Sequence, residues 1–193
     1  ATGPAVHTAL RPSLQPVLIT RDEKLADAWL RGVEPGARRV DAVAAAERLV
    51  RAVRDRDDGP CDAEPSEWAP LDAEIAYLCR RHEQLAPERA AASGSDLGAR
   101  ADRFYVAEAL AALGRSDEAR EIYRALEADP AARAMQPFAA TLSLARLGAL
   151  AEERGDDAAA LARYRALGEV WSGLDVPLED LLAAESRLAE LSP

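Results

Sequence analysis

Cys79 and His82 stand three residues apart, a spacing that puts two side chains on one face of a helix and suits a pair of metal ligands. Cys61 offers a third donor. A structural zinc site takes four, however, and the other histidine, His7, lies far off near the start of the chain. No metal is therefore expected. Cys79 reads as a small core residue on the side of a helix that carries Ile75 and Leu78, with His82 as a partly exposed neighbour. A Cys61–Cys79 disulfide is the alternative, open only if the chain is exported. Arg48, Arg51 and Arg54 recur every third residue after Arg38 and Arg39, which could imitate a DNA-reading helix. Nearby acids almost cancel these arginines, so a solvated helix face is expected and nucleic acid is not a partner.

Catalysis has little to work with. Two histidines in 193 residues leave scant general acid–base capacity near neutral pH. There is no Gly-rich phosphate loop, no nucleophile elbow and no His-Glu zinc motif. The carboxylate pairs Glu152-Glu153, Asp156-Asp157 and Glu179-Asp180 fall where helices end or begin, where they act as caps and dipole partners. The chain reads as a non-enzyme without a cofactor, and a small molecule is not the expected ligand. Trp68 stands in a Pro-rich loop without helical periodicity. It either plugs a gap between helices or serves as an exposed interface anchor, and it is kept as a candidate binding residue.

The elements that must position these residues follow from composition. The chain has 44 Ala and 25 Leu against 17 Val, Ile and Thr together, so helix formers dominate and an all-α fold is expected. The net charge is −10, which repels nucleic acid and anionic membranes. That acidity is uneven: residues 1–60 hold 10 basic and 9 acidic groups, residues 61–130 hold 8 and 15, and residues 131–193 hold 6 and 10. No apolar run approaches the roughly 20 residues of a membrane helix, and no signal peptide is recognised. Neither a cytoplasmic nor an exported location follows. Twenty-three arginines beside the single Lys24 fit a GC-rich bacterial genome.

Three regions are expected. Residues 1–19, with Pro4, Pro12 and Pro16, form an extended arm. Residues 20–95 form a helical N-terminal region. A capping box of Thr20 and Glu23 opens its first helix, which carries Leu25, Ala28 and Trp29 to near Gly32. A second helix spans about 38–55 on a stripe of Val43, Ala46, Leu49, Val50 and Val53, and a third spans about 71–85. Residues 57–70 form a loop and 90–98 a hinge. Residues 96–193 are expected to hold helices near 99–113, 116–128, 137–154, 157–171 and 178–191, with 130–137 as an extended connection.

A repeat carries the strongest pattern. After Gly114 come Ala119, Tyr123 and Leu126; after Gly155 the same steps give Ala160, Tyr164 and Leu167. Gly permits the left-handed backbone that ends a helix, Ala permits close helix approach, and Tyr fills a gap. Together with Leu147-Gly148 and Pro130, this spacing resembles the tetratricopeptide repeat (TPR) over about Arg100 to Trp171. Departures stand beside it. Arg103 and Leu144 occupy the family's Trp position, Leu110 and Ala151 its Tyr position, and the two glycines are 41 residues apart rather than 34.

The resemblance implies antiparallel hairpins stacked as an α-solenoid, with residues 178–191 as a C-terminal cap. It also implies a concave groove lined by first helices, here Phe104, Glu108, Ala111, Ala145, Ala149 and Glu152. Lys and Asn of the carboxylate-clamping subset are absent from those positions, so an amphipathic or basic segment of a partner protein is the expected occupant. The alternative function is a structural subunit of a larger assembly, docked through the arm 1–19.

Overall fold

The computed structural model describes residues 14, 16–32, 41–55, 61, 72–83, 85, 97–135, 137–171 and 179–191. Among them every regular element is a helix: α1 (Glu23–Gly32), α2 (Asp41–Asp55), α3 (Asp72–Leu78), α4 (Leu97–Ala112), α5 (Ser116–Ala128), α6 (Pro130–Met135), α7 (Pro137–Glu152), α8 (Asp157–Trp171) and α9 (Glu179–Leu191). The all-α expectation holds for the described residues. The expected loop 57–70, the hinge 90–98, His7 and Trp68 fall almost wholly outside them. Two compact units divide the chain, residues 1–109 and 110–193, with the boundary inside α4 rather than at 95.

In the first unit, residues 16–20 are helical, not extended. Leu14, Val17 and Leu18 are buried in one cluster with Ala26 and Leu30 of α1 and Ala46, Leu49, Val50 and Val53 of α2. This corrects the expected free arm over those residues. Leu14 is helical as well, and Leu14, Val17 and Leu18 have the i, i+3, i+4 spacing of a buried stripe.

Arg21 ends that turn with φ 51°, and its amide donates to the Val17 carbonyl at 2.9 Å. Asp22, not Thr20, then caps α1: its Oδ1 accepts the Leu25 amide at 2.9 Å. The Thr20 hydroxyl is taken by the Pro16 carbonyl at 2.7 Å. Ala28 is exposed, while Leu25 and Trp29 pack against the cluster.

The third helix stops early. Arg80 adopts φ 55°, its amide donates to Tyr77 at 3.1 Å, and the Arg81 amide donates to Ala76 at 2.8 Å. That pair of bonds is the Schellman ending, built here without glycine. Cys79, in this turn, is bonded to Cys61 with Cα atoms 5.5 Å apart. Its sulfur is thus neither a free core thiol nor a metal ligand. Guanidinium groups brace the turn from outside, Arg81 donating to the Cys61 carbonyl and Arg21 to the Leu78 carbonyl. Tyr77 also packs on Tyr105 of α4, with ring centroids 4.6 Å apart.

The second unit is built around α7. Ala139 to Ala145 are all buried, with Leu147, Gly148 and Leu150, so this helix is buried over most of its surface. Its buried Ser143 hydroxyl donates to the Ala139 carbonyl at 2.8 Å, which satisfies that hydroxyl inside the core. Helices α5, α6, α8 and α9 pack around it.

The two repeat units end their first helices alike. Gly114 (φ 77°) donates to Ala111 at 3.0 Å and Arg115 to Leu110 at 2.8 Å; Gly155 (φ 71°) donates to Glu152 at 2.8 Å and Asp156 to Ala151 at 3.0 Å. Ala119, Tyr123 and Leu126 are buried on α5, and Ala160, Tyr164 and Leu167 are buried at the same steps on α8. The connection 130–137 is a correction. Asp129-Pro130 starts α6 instead of extending the chain, because Asp129 Oδ1 accepts the Ala131 amide at 2.9 Å and Pro130 suits the first helical position.

Candidate functional site

The residues expected to line a groove fall in both units, and the structure assigns them unequal places. Phe104 is fully buried, its ring 6.4 Å from that of Tyr105, which corrects the expectation of a partly exposed anchor. Glu108 is half-buried. On α7, Ala145 is buried and Ala149 is exposed.

Glu152 closes an internal network instead of edging a groove. The Tyr164 hydroxyl donates to its Oε2 at 2.9 Å, and Arg187 donates to its Oε1 from Nε at 2.8 Å and Nη2 at 2.5 Å. The Arg187 hydrogen bonds hold the Glu152 carboxyl below the usual Glu range, with the Tyr164 bond acting in the same sense. The Tyr164 phenol moves the other way: burial raises it first, and the Glu152 carboxylate adds to the rise. This network ties α9 to the turn between α7 and α8.

An open cleft lies on a different face of α7. Pro137, Ala140, Thr141 and Leu144 line it at i, i+3, i+4 and i+7, with Ala166, Glu169 and Val170 from α8, Glu127 from α5 and Arg133 from α6. Its volume is about 260 Å³. Ala140 and Ala166 supply a shallow floor of small residues. Leu144, at the position of the family's Trp, stays 6% exposed, whereas Val170 at the edge is 57% exposed. That exposure leaves an aliphatic side chain open to water in the last turn of a helix that buries Ala160, Tyr164 and Leu167.

The charges around the cleft are set by helix ends. Glu127 stands in the last turn of α5 and Glu169 in the last turn of α8, and neither turn holds a basic residue. Arg163 meets Glu127 at 3.0 Å, and Arg133 is the guanidinium in the lining.

None of Val170, Glu169, Leu144 and Ala140 stood out in the sequence as a site residue. The available signal was Val170, an apolar residue beside the inward run of Ala160, Tyr164 and Leu167 rather than on it. No family model, no curated protein and no solved structure matches the chain. The cleft therefore has to be read from its own chemistry.

Proposed function

We propose that the chain is a non-catalytic adaptor, with TPR-like helical hairpins in its C-terminal part, that holds a segment of a partner protein in the cleft beside α7. The observation that carries this reading is Val170 exposed at the edge of an apolar floor formed by Ala140, Leu144 and Ala166. Water against such a surface is released on docking, which favours association. At about 260 Å³ the cleft is below the ~300–1,000 Å³ typical of small-molecule sites. It suits one or two side chains of a docked segment. The matched turns at Gly114 and Gly155, and the matched burial on α5 and α8, support the repeat part of the proposal.

The subunit reading, with docking through residues 1–19, gains no support. Leu14, Val17 and Leu18 are committed to the first unit's own core. The test is site-specific photo-crosslinking of the full chain in its native extract. A photoreactive residue at Val170 is expected to capture a partner that the same residue at Ala149 does not. Capture at Ala149 alone, or at neither position, contradicts the proposal.

A further inference from the structure

We infer that the Cys61–Cys79 disulfide is a redox switch on α3. The bond holds that helix broken at Arg80, and reduction by a dithiol lets the helix run on to Leu85. The device belongs to the first unit, whereas the cleft belongs to the second.

Nothing in the local sequence calls for the break. Residues 72–85 contain neither Gly nor Pro, and Ile75, Leu78, Cys79, His82 and Leu85 make one stripe at helical spacing. Helical backbone resumes just past the break, at His82, Glu83 and Leu85, and the Leu85 amide donates to the Arg81 carbonyl at 3.4 Å. The broken and continuous forms differ by a small exchange of hydrogen bonds. In the broken form Arg80 donates to Tyr77 and Arg81 to Ala76; in a continuous helix Arg80 donates to Ala76 and Arg81 to Tyr77. The Leu78 carbonyl, now held by the Arg21 guanidinium at 2.8 Å, would accept the His82 amide instead.

The broken form carries two costs. Arg80 sits in the left-handed region at φ 55°, which glycine adopts freely and arginine does not. Nδ1 of His82 is buried with no hydrogen-bond partner among the described residues. The crosslink opposes both costs. Cys61 stands against Cys79 with Cα atoms 5.5 Å apart, and the Arg81 guanidinium donates to the Cys61 carbonyl. A continuous helix would put His82 one turn beyond Cys79 on the same face, the face that the bonded Cys61 covers.

Both cysteines are half-buried, so a reductant reaches the bond. A thiolate of the dithiol attacks one sulfur and displaces the other as a thiolate; the second thiol of the reductant then displaces the first sulfur. Two electrons and two protons pass to Cys61 and Cys79, which become thiols, and the reductant becomes a disulfide. Cys61 is then free to leave the Cys79 face, and the exchange of hydrogen bonds follows.

The test is NMR of the full chain with and without dithiothreitol. It reads the sign of the Arg80 φ angle, from the amide–Hα coupling and Overhauser effect, and amide hydrogen exchange at His82. The oxidised chain is expected to show a positive φ at Arg80. Reduction should make it negative and slow the His82 amide about tenfold, with the signals of α2 unchanged. Cys61→Ser/Cys79→Ser should show the reduced values without reductant and no response to it. Arg80→Gly, which removes the left-handed cost, should keep the broken turn after reduction. A positive φ in both reduced wild type and the serine variant overturns the inference, because contacts other than the disulfide would then set the break. Loss of the dispersed α2 signals on reduction also overturns it, since the bond would then be a staple for the whole unit. Conversion of Arg80→Gly to the same extent as wild type overturns it as well, since relief at Arg80 would not drive the change.

Discussion

A Cβ placed on Gly148 of α7 would lie 2.4 Å from Cε1 of Tyr164 on α8. The ring occupies the space that any larger residue at 148 needs. It cannot swing away freely, because its hydroxyl is held by Glu152 at 2.9 Å. Gly148→Ala is therefore expected to destabilise the second unit by about 1–3 kcal/mol, the usual cost of overpacking a close helix contact. Urea unfolding checks this. Tyr164→Phe in the same background should recover part of that loss, since it releases the ring from Glu152.

The Glu152–Arg187 bond makes part of the stability depend on pH. The folded state holds the Glu152 carboxyl below its ordinary value of 4.5, so the folded chain binds this proton less readily than the unfolded chain. The contribution is present above the unfolded value and is lost as pH falls through the folded one. Glu152→Gln is expected to lower the urea midpoint near neutral pH. The gap to wild type should narrow below about pH 4, where the wild-type carboxylate is itself being protonated. An equal gap at both pH values would show that the ion pair contributes nothing.

Cys61 and Cys79 close a loop across 18 positions. A crosslink of that span restricts the unfolded chain by about 3 kcal/mol. Reductant should therefore lower the melting temperature of wild type and leave Cys61→Ser/Cys79→Ser unchanged. Chain purified without reductant should show no thiol open to alkylation before reduction. The sequence left this pairing conditional on compartment, because a separation of 18 positions does not say where the two sulfurs meet.

Arg80 and Gly114 occupy the same turn position with the same left-handed backbone, at φ 55° and φ 77°. A side chain there costs roughly 1 kcal/mol relative to glycine. Arg80→Gly is expected to raise stability by ~0.5–1 kcal/mol, while Gly114→Ala and Gly155→Ala each lower it by about as much. Thermal unfolding of the three variants gives the signs directly.

These residues also show what the sequence discloses. Glycine at 114 and 155 marked both helix ends, and the Ala-Tyr-Leu steps marked the buried faces, because backbone freedom and apolar spacing are local properties. All five C-terminal helices expected from that spacing begin and end within two residues of their observed bounds. The ending at Arg80 was not legible, since arginine has no preference for that backbone and tertiary contacts impose it. Asp129-Pro130 and Pro16 were read only as breaks, although Pro130 starts α6 and Pro16 lies within helical residues. The cleft was the hardest feature to see. Leu144 and Val170 come from different helices, and exposure depends on what packs nearby, which no single segment encodes.

The measurement that bears most directly on the cleft is the amide ¹H–¹⁵N spectrum of the full chain, titrated with a peptide selected for binding to it from a randomised library. Saturable shifts are expected at residues 138–144 and 166–170 around Val170, with the amides of Ala149 and α1 to α3 unmoved. Shifts centred on Ala149, or confined to the first unit, would place binding elsewhere and contradict the proposed function.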